Sequence, residues 1–171
     1  MKKKECFLPS LSTERLLLSS LRECDRESLI ALLRDERVKQ TYMVPDLDDA
    51  SADKLFSRMR ELSEENARFV RGIFLKGELI GIVNDVGIED GCIELGYAIS
   101  SCHHGNGYMS EVLSSLIPYL KSLGFQQIRT GAFSENQASI RVMEKCGMKR
   151  IPFSEEIEYR SKRHLCVYYE I

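Results

Sequence analysis

The stretch CIELGYAISSCHHGNGYMSE, residues 92–111, decides the fold: a run of strand character, Cys92 to Ile99, passes through a turn holding Gly105 and Gly107 into a segment of helical spacing. In that segment Val112, Leu116, Tyr119, Leu120 and Leu123 recur on one face up to Gly124, a natural helix stop, with Pro118 as a point of kinking inside it. A strand that feeds Gly105-Asn106-Gly107-Tyr108 into a helix start aims unpaired backbone N–H groups at one point. The helix dipole favours negative charge at the same place. Glycines at 105 and 107 allow an anion to approach the backbone and permit positive φ. Two glycines also simply make a tight turn, and a bare glycine pair is a weak phosphate motif.

Upstream, three β-rich runs, Phe69 to Leu75, Leu79 to Ile88 and Cys92 to Ile99, are separated by Lys76-Gly77-Glu78 and Glu89-Asp90-Gly91. Short glycine-containing turns between such runs predict an antiparallel meander. Before it, Arg15 to Ser20 reads as a strand, and Asp25 offers an N-cap to a helix carrying Leu29, Leu32 and Leu33. A polar loop around Pro45 then precedes a helix over Ser51 to Glu65, with Leu55, Met59 and Leu62 on one face. Downstream, Gln127 to Phe133 reads as a strand and Asn136 to Lys145 as a helix with Ile140 and Met143 inward and Gly147 just past its end. Two last strands are placed near Met148 to Phe153 and His164 to Ile171. The fold class is α/β, in the α+β sense of a mixed sheet: an antiparallel meander followed by strand-helix units that add parallel pairing late.

A chain of 171 residues, 43% hydrophobic, buries one substantial core, so a single domain over 1–171 is expected. With 24 basic and 26 acidic residues the net charge is -2, and the only basic run, Lys2-Lys3-Lys4, is too short to track a phosphate backbone, which argues against nucleic acid as a partner. No window has the length and apolarity of a signal peptide or membrane span, so the reading is a soluble cytoplasmic protein without a membrane partner. Cys6, Cys24, Cys92, Cys102, Cys146 and Cys166 form no CxxC pair and read as free thiols.

The third glycine of a dinucleotide fingerprint falls at Ser110, and no GxxxxGK[ST], HExxH or GxSxG stretch occurs. Cys102-His103-His104 lacks a paired ligand at zinc spacing, so no metal is expected. The order of three motifs carries more. Ile93-Glu94-Leu95-Gly96-Tyr97-Ala98-Ile99, then His104-Gly105-Asn106-Gly107-Tyr108-Met109-Ser110-Glu111, then Asn136 through Met148 resembles the GNAT acetyltransferases, most closely the branch of ribosomal-protein N-terminal acetyltransferases. Ser12-Thr13-Glu14-Arg15-Leu16-Leu17-Leu18 and Gly81-Ile82 extend the resemblance over nearly the whole chain.

The resemblance implies a splayed parallel strand pair, with the pantetheine arm of acetyl-coenzyme A, the co-substrate, against the backbone of Tyr97, Ala98 and Ile99. It implies the pyrophosphate on the backbone of His104, Gly105, Asn106, Gly107, Tyr108 and Met109, and Asn136 and Ser139 at the pantetheine or sulfur end. Lys145 is either a contact to a phosphate of the nucleotide part or a solvated helix lysine. Cys102 stands where relatives carry Arg or Gln, which takes a long polar side chain from the phosphate while the backbone donors remain, and His104 stands where an aromatic is common.

Glu94 is the candidate general base, with a solvent-facing or ion-paired strand residue as its other reading. Ser139, or Tyr108, is the candidate at the leaving thiolate, with a plain helix-surface serine as the other reading. The acceptor is a primary amine, on a small molecule or a protein N-terminus, bound near residues 41–53 and 159–164. The aspartates Asp46, Asp48, Asp49 and Asp53 either attract it or form a solvated loop with a helix cap. A module that binds acetyl-coenzyme A without catalysis, and a redox or metal protein using Cys102 and His103, are the rival functions. Both monomer and homodimer are compatible with the apolar pattern.

Overall fold

Two-residue turns organise the middle of the chain. Lys76 and Gly77, then Asp90 and Gly91, all have positive φ (51°, 85°, 48° and 76°), the conformation that joins antiparallel strands with the correct twist. Strands β3 (Val70–Leu75), β4 (Glu78–Glu89) and β5 (Cys92–Ile99) therefore form the expected meander, with turns one residue shorter than the sequence suggested. The computed structural model describes residue 7 and residues 10–65 and 68–171; Cys6 and the Lys2 to Lys4 run lie outside them.

The chain divides into two compact units, residues up to Asp85 with Tyr97–Tyr108, and Val86–Gly96 with Met109–Ile171. In the first, β1 (Ser10–Ser12) pairs with β2 (Leu16–Ser19), which pairs with β3, all antiparallel. Helices α1 (Arg26–Arg34), α2 (Glu36–Lys39) and α3 (Asp49–Glu64) supply the other layer. Their apolar stripes meet: Leu29, Leu32, Leu33 and Phe56 are buried with Val70, Ile82 and Ala98, and Leu55, Met59 and Leu62 pack against that cluster. Asp25 precedes α1, but its carboxylate turns back to accept from the Arg22 amide (2.7 Å) and guanidinium (2.7 Å), closing a 3₁₀ turn instead of capping α1. The cap at α3 is Asp48, whose Oδ1 accepts from the Ser51 amide at 2.7 Å.

In the second unit β5 pairs in parallel with β6 (Gln127–Phe133), from Cys92 opposite Gln127 to Leu95 opposite Thr130. The helix α4 (Tyr108–Ser122) runs unbroken through an exposed Pro118 and buries Val112, Leu113, Leu116 and Leu120. Gly124 then takes φ of 102°. Helix α5 (Gln137–Lys145) is capped by Asn136, whose side chain accepts from the Ser139 amide at 3.2 Å, and Met143 is its buried anchor.

The last strands depart from the sequence reading. β7 (Lys149–Tyr159) and β8 (Lys162–Glu170) form one long antiparallel hairpin around Arg160 and Ser161, both at positive φ (52° and 58°) without a glycine. The sheet order is β1-β2-β3-β4-β5-β6-β8-β7, so the hairpin folds back to set β8 antiparallel against β6. One strand pair is therefore parallel, and the second strand-helix unit adds none. The result is the mixed α/β sheet expected, with β7 at its edge, where Pro152 sits in a register shift and no ladder donor is required of it.

Candidate functional site

In the first unit, the chain leaves β5 through a 3₁₀ turn at Ser101–His103 and enters α4 at Tyr108. Gly105 and Gly107 have φ of 78° and 75°, the left-handed region that glycine permits. The His104 amide donates to the Ser101 carbonyl at 3.3 Å, so the amides left to face an anion begin at Gly105. The Asn106 side chain braces the turn, donating to the carbonyls of His103 (3.0 Å) and His104 (3.1 Å). Met109 is buried.

Arg15 reaches this turn from far back in the chain. Its guanidinium donates to the Asn106 carbonyl at 3.2 Å and lies over the Tyr108 ring, 4.6 Å from the centroid. A positive charge thus stands beside the glycines although Cys102 carries none. The Cys102 Sγ lies 3.1 Å from Ser100 Oγ and 3.2 Å from His103 Nδ1. Among the described residues no group of three or more His, Cys, Asp or Glu is arranged to hold a metal ion.

The strand before the turn is polarised by its register. Ser100 N–H donates to the Ile80 carbonyl at 2.8 Å, and backbone groups of alternate residues point to the same side, so those of Ala98 face β4 and those of Tyr97 and Ile99 face away from it. His104 Nε2 is 2.8 Å from the Ile99 carbonyl and ties the turn to the strand end.

The aspartates of the early loop are already engaged. Asp48 caps α3, Asp49 pairs with Arg34 at 2.8 Å, Asp53 with Arg26, and Asp46 with Lys39. Each of these carboxylates thus has a helix amide or a cation of the chain as a partner.

In the second unit, Glu94 stands opposite Arg129, Arg129 opposite Glu170, and Gly131 opposite Tyr168, so Glu94, Arg129, Glu170, Tyr168, Cys166 and, across β7, Glu155 share one sheet face. The other face, with Ile93, Leu95, Ile128 and Tyr169, is buried, and Tyr169 donates to Glu144 of α5 at 3.2 Å. Gly131 makes room for the Tyr168 ring: a Cβ there would lie 2.7 Å from its Cε1. The Tyr168 hydroxyl donates to Glu155, and Phe153 packs at 5.1 Å between ring centroids. Burial pushes the Glu94 carboxyl above its usual range; Arg129 opposes the shift and Glu155 adds to it. Arg129 is held by Glu170 at 3.1 Å, which spends much of its charge elsewhere.

At the end of β6, Asn136 caps α5 and Ser139 is half-buried in its first turn, while Lys145 is exposed in its last turn, where a cation complements the helix dipole. Beside Asn136, Glu135 accepts from His164 Nδ1, and the imidazole stacks on Phe133 at 4.2 Å. Sequence reasoning missed Arg15, Glu135, Glu155 and Tyr168 as site neighbours, and placed His164 only at the end of the stretch 159–164 assigned to the acceptor. None of them has a local motif: strand register or a loop return brings them in.

The sheet is mixed, with one parallel pair, β5 with β6, and β5 leads through the glycine turn into α4. Residues 15–149 match the model of the acetyltransferase (GNAT) domain, and the chain belongs to that family. It is 28% identical over 150 residues to the uncharacterized N-acetyltransferase YoaA of Bacillus subtilis (strain 168), covering 84% of this chain and 85% of that one. Its fold matches the GNAT-family acetyltransferase of Bacillus anthracis at a TM-score of 0.81, with 21% identity over 95% of this chain and 97% of that one. The structure of RimL, a ribosomal L7/L12 alpha-N-protein acetyltransferase in complex with coenzyme A, matches at 0.81, with 18% identity and 95% and 97% coverage. No helix among the described residues is long and apolar enough to cross a membrane.

Proposed function

We propose that the chain is an N-acetyltransferase that passes the acetyl group of acetyl-coenzyme A directly to a primary amine, on a protein N-terminus or a small molecule, with Glu94 as the base. The observation that carries the base is the Glu94 carboxyl itself: it lies on the face opposite α5, its carboxyl is raised by burial, and its cross-strand neighbour Arg129 is committed to Glu170. A base raised toward the operating pH accepts an ammonium proton with less of the driving force against it.

The amides of Gly105, Asn106, Gly107, Tyr108 and Met109 receive the pyrophosphate, with Arg15 adding the charge that Cys102 lacks. His104 steadies the strand end through the Ile99 carbonyl. Tyr97 and Ile99 offer backbone groups directed away from β4 to the pantetheine amides, with Ala98 between them. Asn136 and Ser139 stand at the sulfur: with Asn136 Oδ1 occupied by the cap, its amide NH₂ is the part left for the ligand. Lys145, exposed in the last turn of α5, is the candidate for a phosphate of the nucleotide part, with a solvated helix lysine as its other reading. Acetyl-coenzyme A supplies an activated acyl group. The chain's own residues orient it, take the amine's proton and ease the departing thiolate.

The test is the pH profile of Glu94→Gln. A free α-amino group has a pKa of roughly 7.7–8.0, so below that range the amine depends on a base and above it the neutral form is present unaided. The variant should therefore lose most activity at the acid end and converge on wild type as the pH rises, with acetyl-coenzyme A affinity intact. A loss that is the same at every pH removes Glu94 from the role. Wild-type protein that binds acetyl-coenzyme A but releases no thiol with any amine or peptide acceptor would make it a binding module instead.

A further inference from the structure

We propose that His164, held by Glu135, is the proton donor to the thiolate that leaves coenzyme A during acetyl transfer. The proposal rests on the reading that places Asn136 and Ser139 at the sulfur. Its own ground is where β8 brings the imidazole. Phe133 pairs with Cys166, Ser134 N–H donates to the Leu165 carbonyl at 2.8 Å, and Asn136 N–H donates to the Phe133 carbonyl at 2.8 Å. His164 is thereby pinned against the turn Ser134-Glu135-Asn136 that feeds α5.

Its orientation is over-determined. The ring stacks on Phe133 at 4.2 Å and 15°, with Tyr159 on a tilted approach at 6.4 Å, and the side chain is 10% exposed. Nδ1 is bonded to a Glu135 oxygen, and that bond holds the Glu135 carboxyl below its usual range, as an acceptor-only carboxylate. Nδ1 therefore carries the proton that the carboxylate accepts, and Nε2 bonds no described residue. A surface histidine kept only for solubility needs neither the stacking nor the carboxylate.

The chemistry balances. The neutral amine forms a C–N bond to the thioester carbonyl, and collapse of the tetrahedral intermediate breaks C–S, with the electron pair going to sulfur. The protonated Nε2 gives its proton to that sulfur and becomes neutral. The proton shed by the new amide nitrogen restores the imidazolium through solvent.

The test varies the leaving group. Wild type, His164→Gln and Glu135→Gln are assayed with acetyl-coenzyme A and with an aryl thioester, whose thiolate is a stable anion that needs no protonation. With acetyl-coenzyme A, His164→Gln should lower kcat about 100-fold with KM little changed. With the aryl thioester the loss in kcat/KM should shrink to under about 3-fold, since an acid no longer limits departure. Glu135→Gln, at an exposed position that keeps a hydrogen-bond acceptor, should lose about 10-fold with the same donor dependence. Equal losses with both donors in the two variants, or no loss with acetyl-coenzyme A, overturns the assignment. Wild-type protein that acetylates no amine sinks the underlying reading as well, whereas active wild type with donor-independent losses sinks this proposal alone.

Discussion

Gly81 is the residue where fold and coenzyme site are most tightly coupled, and Gly81→Ala tests that coupling. A Cβ at 81 would lie 2.5 Å from the Ala98 carbonyl oxygen and 3.0 Å from Ile99 Cγ1. An ordinary carbon–oxygen approach is about 3.3–3.6 Å, so β4 and β5 must part by roughly 0.8–1.1 Å. The obstacle is backbone and cannot rotate aside; it also adjoins the 2.8 Å bond from Ser100 N–H to the Ile80 carbonyl. Overpacking of this kind costs about 2–3 kcal/mol, toward the upper end of the usual range. For a chain of this size that is a fall of roughly 4–12 °C in Tm. The control lies on the same strand: Gly87, where an added Cβ meets nothing within 4 Å and φ is outside the positive range. Gly87→Ala should raise stability by about 0.4–1 kcal/mol through the unfolded chain, or roughly 1–4 °C. Thermal melts are run with and without acetyl-coenzyme A at 100 times the wild-type Kd, where ligand contributes about 2.7 kcal/mol. Because Ala98 lies between Tyr97 and Ile99, displacing it should weaken affinity about 10-fold and roughly halve that ligand increment. A Gly81→Ala protein that melts with Gly87→Ala at or above wild type, with the full ligand increment, refutes the reasoning.

Gly107→Val adds a branched side chain at φ of 75°, which strains the backbone by about 1–2 kcal/mol and fills the approach to the turn. A folded variant should lose acetyl-coenzyme A binding by calorimetry at least about 100-fold, and wild-type affinity would dismiss the cradle. Asn136→Ala should cost about 1 kcal/mol through the lost cap, whereas Asn136→Asp should restore Tm but not KM for acetyl-coenzyme A if the amide NH₂ serves the ligand. Glu135 has a depressed carboxyl, so its bond from His164 adds stability above the ordinary value of about 4.3 that is lost as pH falls through the folded value. Tm against pH should therefore fall less steeply at the acid end in Glu135→Gln than in wild type, and parallel curves would mean the bond does not form in solution.

The sequence made the meander legible because its turns carry glycine where φ must be positive, at Gly77 and Gly91. It hid the final hairpin for the complementary reason: Arg160 and Ser161 adopt the same conformation with no residue that advertises it, and β7 is too exposed to alternate cleanly. The same distinction separates the site residues. The glycine turn, Asn136 and Ser139 sit in local motifs, and their backbone geometry at the glycines and at the α5 cap follows from those motifs. Arg15 reaches Asn106 across 91 residues, and His164 reaches Glu135 across 29, so no window of sequence contains either pair.

What unites the residues of this face is parity. Glu94, Arg129, Glu170, Tyr168, Cys166, Glu155 and His164 are brought to one face by three successive registers, β5 with β6, β6 with β8, and β8 with β7. A slip of one residue in the β6–β8 pairing would carry Tyr168, Cys166 and His164 to the face packed on α5 and bring Tyr169 and Val167 in their place. That slip is opposed by packing on both sides at once: Tyr169 bonds Glu144 on one face, while the Tyr168 ring fits only over the bare Gly131 on the other. Gly131→Ala is therefore a test of register as much as of space. With a Cβ 2.7 Å from Tyr168 Cε1 and 3.2 Å from Cys166 Sγ, it should displace Tyr168 from Glu155 and cost about 1–3 kcal/mol, with kcat falling for all amine acceptors. If Gly131→Ala keeps wild-type Tm and kcat, the chemical face does not depend on that register, and the grouping of Glu94 with His164 loses its structural basis.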